Sequence, residues 1–70
     1  MTLKKDLNER ARKMPMLLSE IAEYTGKNYG SIYRWFCTDS PQLLRLDILA
    51  IIGKQLGIKD VLKLVNHDKN

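Results

Sequence analysis

Covalent and metal staples are scarce in this chain. Its one cysteine, Cys37, has no internal partner for a disulfide, and with the single His67 it makes no convincing zinc site. No apolar run is long enough to cross a bilayer, and none near the start resembles a signal peptide, so no membrane partner and a cytoplasmic location are expected. A glycine-rich phosphate loop is missing. No serine, cysteine or histidine has evident catalytic partners, so no catalytic residue, metal or cofactor is assigned and an enzyme is the poorest reading. Internal repeats and low-complexity segments are also lacking.

What remains is a small domain that depends on its core. Seventy residues bury only about 60% of the surface their unfolded chain exposes, which lies near the lower limit for folding without staples. A hydrophobic content of 44% with 29% charged residues suits an ordinary folded domain rather than a disordered tail. The net charge of +4 mildly favours a polyanionic partner. That charge is uneven: residues 1–16 hold Lys4, Lys5, Arg10, Arg12 and Lys13 against Asp6 and Glu9, whereas residues 17–37 balance. All the aromatics, Tyr24, Tyr29, Tyr33, Trp35 and Phe36, cluster in one short stretch.

Hydrophobic spacing predicts five short helices and no strand, an all-α domain. Thr2 caps a first helix running to about Lys13, with Leu3, Leu7, Ala11 and Met14 as its buried stripe. Its basic faces read either as a solvated surface or as a phosphate-contacting flank. After Pro15 a weakly capped second helix runs from about Met16 to Tyr24 or Thr25. A third spans roughly Tyr29 to Phe36, with Trp35 in the core and Phe36 either core or dimer contact. Ser40 and Pro41 are a hydroxyl cap and a first-turn proline, so a fourth helix begins as early as Pro41, with Leu46, Leu49, Ile52, Gly53 and Leu56 on one side. Gly57 ends it. A last helix covers Ile58 to about Val65, with Asp60 in its first turn, and a polar tail follows from Asn66. Cys37 reads as a small buried hydrophobe.

The centre of the chain is Leu18 to Cys37, LSEIAEYTGKNYGSIYRWFC. Ala22 is small where one helix crosses another, Gly26 supplies the left-handed residue of a sharp turn, and Asn28 caps the next helix. That is the pattern of a helix-turn-helix. With Ile21, Ile32 and Trp35 inward, Tyr29, Gly30, Tyr33 and Arg34 point out, a face better suited to DNA than to water. Arg34 has the planar fork that bonds guanine O6 and N7 together; the competing fate is an ion pair with Glu20 or Glu23. Tyr29 and Tyr33 offer rings to thymine methyls and hydroxyls to phosphates or bases, although one of them, Tyr33 first, has the alternative of closing over the core. Gly30 either relieves crowding against the second helix or lets the third sit close to the groove wall. Lys27 and Asn28, at the positive end of the third helix, suit phosphate.

The segments IAEYTG and SIYRWF, followed by RLDILAIIGKQLGI, resemble the lambda-repressor/Cro-like (XRE) helix-turn-helix family over most of residues 3–65. The resemblance implies a compact five-helix bundle whose third helix enters the major groove. The family's base-reading positions fall on Tyr29, Gly30, Tyr33 and Arg34. Its phosphate positions fall near Asn28 and Ser31, around Ser19 at the start of helix two, and in the loop after helix three, where Arg45 stands.

A domain this small reads few base pairs alone, so a homodimer on a palindromic operator is expected. Ile58, Val61, Leu64 and Val65 are candidates for its interface, Leu64 and Val65 first. The functions that compete are a phage or bacterial transcriptional repressor, an antitoxin-like or accessory protein joining DNA to a protein partner, and a helix-turn-helix used only for protein interaction.

Overall fold

A computed structural model describes residues 2–66 of the chain. Along it run strand β1 (Thr2–Leu3), helices α1 (Lys5–Arg12), α2 (Pro15–Thr25) and α3 (Tyr29–Cys37), a 3₁₀ turn over Pro41–Leu44, helix α4 (Leu46–Leu56), a second 3₁₀ turn over Val61–Leu64, and strand β2 (Val65–Asn66). The fold is predominantly helical. α2 packs on α3 and α4, α1 lies across α2 and α3, and the second 3₁₀ turn closes over α4.

Much of the core forms where the periodicity placed it, although Met14 and Leu56 are only partly buried and Leu43 and Ile48 join it unannounced. Leu7, Ala11, Leu17, Leu18, Ile21, Ile32, Phe36, Leu49 and Ile52 are buried together with Leu3, Leu43, Ile48, Leu64 and Val65. Burial of each large side chain contributes roughly 1.5–3 kcal/mol. Phe36 is therefore core, not a dimer contact. Trp35 is only half-buried at the core's edge, and Cys37 is exposed: the last turn of α3 runs past the end of the core, so its final residue meets solvent. Leu46 is likewise exposed, at 74%, because it opens α4 two residues before the packed face begins at Ile48.

Capping residues set most boundaries. α2 starts on Met14 without a side-chain cap, with Pro15 in its first turn. It stops at Gly26, whose φ of 75° is readily available only without a Cβ, and whose N–H donates to the Ala22 carbonyl at 2.9 Å. Asn28 Oδ1 accepts from the Ser31 N–H at 2.8 Å and starts α3. Ser40 caps as expected, its hydroxyl accepting from the Gln42 N–H, but Pro41 opens a 3₁₀ turn and not α4. The chain is extended at Arg45 (ψ 141°) before α4 begins.

Both ends of the chain depart from the five-helix expectation. Thr2 does not cap α1; it pairs with Asn66, and Leu3 with Val65, in a short antiparallel sheet. Lys4 extends the pairing by donating its N–H to the Leu64 carbonyl at 2.8 Å. The last helix over Ile58–Val65 is absent and a single 3₁₀ turn stands in its place. α4 ends with the Ile58 N–H on the Gly53 carbonyl at 2.8 Å, which turns the chain back across Gly53. The few residues left before the strand are too short to sustain a helix alone. Asp60 does act at the start of that turn, accepting from the Leu62 N–H. Of the expected polar tail, Asn66 belongs to β2, and residues 67–70, including His67, lie outside the described residues.

One buried polar group ties α1 to the end of α3. Asn8, 4% exposed, donates through Nδ2 to the Phe36 carbonyl at 3.0 Å and to Asp39 Oδ1 at 3.1 Å. Asp39 itself has a positive φ of 51°, so this bond holds a turn that the backbone alone disfavours.

Candidate nucleic-acid interface

The helix pair α2–α3 presents one face of α3 outward. Gly26, Lys27 and Asn28 make the turn between them, and Ile32 and Phe36 anchor α3 to the core. Tyr29, Gly30, Tyr33 and Arg34 are all exposed, the two rings at 41% and 44%. Tyr33 thus does not close over the core. Lys27 and Asn28 are exposed at the amino end of α3, where free backbone amides and the helix dipole favour an anion.

Arg34 forms no ion pair with Glu20 or Glu23. Glu20 accepts instead from Gln55 Nε2 at 2.5 Å and meets Lys54 at 3.9 Å. Among the described residues the Arg34 guanidinium has no hydrogen-bond or ion-pair partner. It shares an open hollow with Asn28, Gly30, Ser31 and Trp35. An alanine methyl at position 30 would meet only Asn28 Oδ1, at an ordinary 3.5 Å. Helix α2 is therefore not what excludes a side chain at Gly30.

Tyr33 belongs to a different hollow, lined with Glu9 and Arg12 of α1 and with Lys13, which caps that helix. The basic residues of the first helix read either as a solvated surface or as a phosphate-contacting flank, and spacing alone does not set Arg12 and Lys13 apart from the others. Only the packing of α1 against α3 brings them to Tyr33.

Of the other predicted contacts, Ser31 lies on α3 in the hollow of Arg34, whereas Arg45 and Ser19 line neither hollow beside α3. Arg45 is held in a two-point pair with Asp47, Nη2 to Oδ2 at 2.7 Å and Nε to Oδ1 at 3.2 Å. Asp47 also accepts from the Tyr24 hydroxyl at 2.9 Å. That bond and the Arg45 guanidinium hold the Asp47 carboxyl below the usual carboxylate range, with the Tyr24 bond the larger cause. Ser31 is half-buried and its N–H is used by the Asn28 cap. Ser19 is exposed, but it shares its hollow with Glu20 and Glu23 and with no residue of α3, a poor seat for phosphate.

The expected dimer residues divide. Leu64 and Val65 are 0% and 3% exposed within a single chain, so they form core and offer no surface. Ile58 and Val61 are half-buried and line an apolar hollow with Ala50, Gly53, Lys54, Gly57 and Lys59. No known family, curated protein or solved structure matches the chain.

Proposed function

We propose that the chain is a small sequence-specific DNA-binding transcriptional regulator of the lambda-repressor/Cro-like helix-turn-helix kind. It acts as a repressor, occupying a palindromic operator as a homodimer with α3 in each major groove. The outward face of α3 carries this reading: Tyr29, Gly30, Tyr33 and Arg34 are exposed together, and Arg34 is unpartnered among the described residues. A free guanidinium on the exposed side of a helix next to a residue without a side chain is suited to reach a guanine edge, worth roughly 1–3 kcal/mol of discrimination. Lys27 and the Asn28 end of α3 supply phosphate contacts that orient the helix without reading sequence.

Selection from a random duplex library at low and moderate salt tests this. An inverted repeat should be enriched. Arg34→Ala should then lose preference at one base pair per half-site, while Lys27→Ala should lose affinity evenly and lower the salt slope by about one per half-site. Weak binding without an enriched sequence, abolished by moderate salt, would reduce the interaction to general basic attraction.

A second reading, an antitoxin-like or accessory protein, draws on the apolar hollow at Ala50, Gly57, Ile58 and Val61, which includes no residue of α3. It predicts a protein partner whose binding survives Arg34→Ala and Lys27→Ala.

A further inference from the structure

We infer that Arg12 at the end of α1 and Lys13 directly after it, together with the Tyr33 hydroxyl of α3, form a phosphate-binding site for one strand of duplex DNA, and that Tyr33 is a phosphate ligand and not a base reader. This site rests on the DNA-binding reading of α3 and goes beyond it in assigning α1 a part in the interface.

The arrangement around α3 leads to it. A helix lying in the major groove, about 12 Å wide, has one sugar–phosphate backbone on each side. α3 is flanked by two hollows that share no residue. One contains Asn28, Gly30, Ser31, Arg34 and Trp35; the other contains Tyr33 with Glu9, Arg12 and Lys13. Tyr33 and Arg34 are adjacent in sequence, so they lie about 100° apart around the helix. Arg34 therefore points into one hollow and Tyr33 into the other. The side chains at the second hollow are those that bind a phosphodiester: a forked guanidinium, an ammonium and a phenolic donor.

The cations are free to do so. Neither Arg12 nor Lys13 has an ion pair among the described residues. The recorded side-chain contact of Arg12 is a 4.0 Å approach of Nη1 to the Cys37 sulfur, which leaves its remaining donors open. Asn8 pins α1 to α3 through Phe36 and Asp39, so the two cations are carried on a helix fixed relative to Tyr33. Glu9 opposes them: it stands one turn before Lys13 and leaves the hollow with one net positive charge. Arg45 supplies the contrast, an exposed arginine already neutralised by Asp47.

The test is a salt titration of the full chain on a duplex selected by the wild type, with each variant's fold checked by thermal melting. Arg12→Gln and Lys13→Gln should each flatten the dependence of log K on log salt by about 0.9 per half-site, about 1.8 for a dimer on its operator, with no change in the preferred sequence. Tyr33→Phe should lower affinity equally for preferred and scrambled duplexes. Glu9→Gln should tighten binding, and Arg45→Gln should leave the slope unchanged. Should Arg12→Gln fail to fold, Lys13→Gln and Tyr33→Phe carry the test. The site is overturned if the wild type selects a sequence but the Lys13 and Arg12 variants keep its slope. It is also overturned if Arg45→Gln flattens the slope equally, which would reduce the effect to net charge, or if Tyr33→Phe changes the selected bases. A wild type that binds no duplex even at low salt would overturn the DNA-binding reading itself, and this site with it.

Discussion

Gly30 and Gly53 lie inside helices for opposite reasons. At Gly53 a methyl would stand 2.5 Å from the Ile58 carbonyl oxygen, a backbone atom held there by its own chain reversal. Packing alone accounts for that glycine. At Gly30 there is room for a side chain, yet glycine is the poorer helix former by up to about 1 kcal/mol relative to alanine. The fold gains nothing from it, so the cost points to an external surface that approaches α3 closely. Gly30→Ala is expected to stabilise the protein, raising the melting temperature by several degrees at about 4–8 °C per kcal/mol for a domain of this size. The same variant should bind the selected duplex more weakly. A melt and a titration on one preparation check both halves; unchanged affinity would mean that DNA does not pass close to position 30.

Between elements, α2 and α4 are joined by Tyr24 and Asp47, and the bond has a definite pH signature. The Tyr24 hydroxyl donates to Asp47, which holds the carboxyl down and, with the carboxylate's charge, pushes the phenol up. A depressed carboxyl stabilises the fold above its ordinary pKa of 3.8 and loses that contribution as pH falls through the lowered value. The raised phenol contributes below its ordinary 10.0 and loses that contribution as pH rises through its raised value. Tyr24→Phe should therefore be less stable than the wild type at neutral pH, and the gap should close in strong acid. Paired urea melts from neutral to acid pH check this, and a gap that does not change with pH would show that the ionised carboxylate adds nothing to the bond. Neither residue's partner was legible in the sequence, since 23 positions separate them. The α2–α3 pair was legible because Gly26 and Asn28 mark its turn by local chemistry, and the core stripe because its period is strong. The chain ends were not. Leu3 fits a helical stripe as well as a strand, and a two-residue strand has no alternation to display. The run from Ile58 to Val65 is apolar enough for a helix, but whether it forms one is decided by the contact of Ile58 with Gly53.

For the whole molecule, that ending decides what Leu64 does. Without a disulfide, stability rests on one small core closed by β1 and β2, and Leu64 is where the two ends meet. Its side chain is fully buried and lies over Gly53, 3.4 Å from where a Cβ would stand. Its carbonyl accepts from the Lys4 N–H. Leu64→Ala should therefore cost roughly 2–5 kcal/mol, as leucine truncations in packed cores do, a large share of the 5–15 kcal/mol that a typical domain has in total. The melt should shift down as one cooperative transition, whatever the protein concentration, because the loss is within a single chain. DNA binding should fall only as far as the folded fraction falls. A dimer-contact role for Leu64 predicts the reverse pattern: a nearly normal monomer melt, and operator binding that weakens most at low protein concentration. Melts at two concentrations, with operator titrations on the same samples, separate the two outcomes. The first would leave Ile58 and Val61, beside the apolar hollow on α4, as the part of the expected dimer surface still available to a second copy.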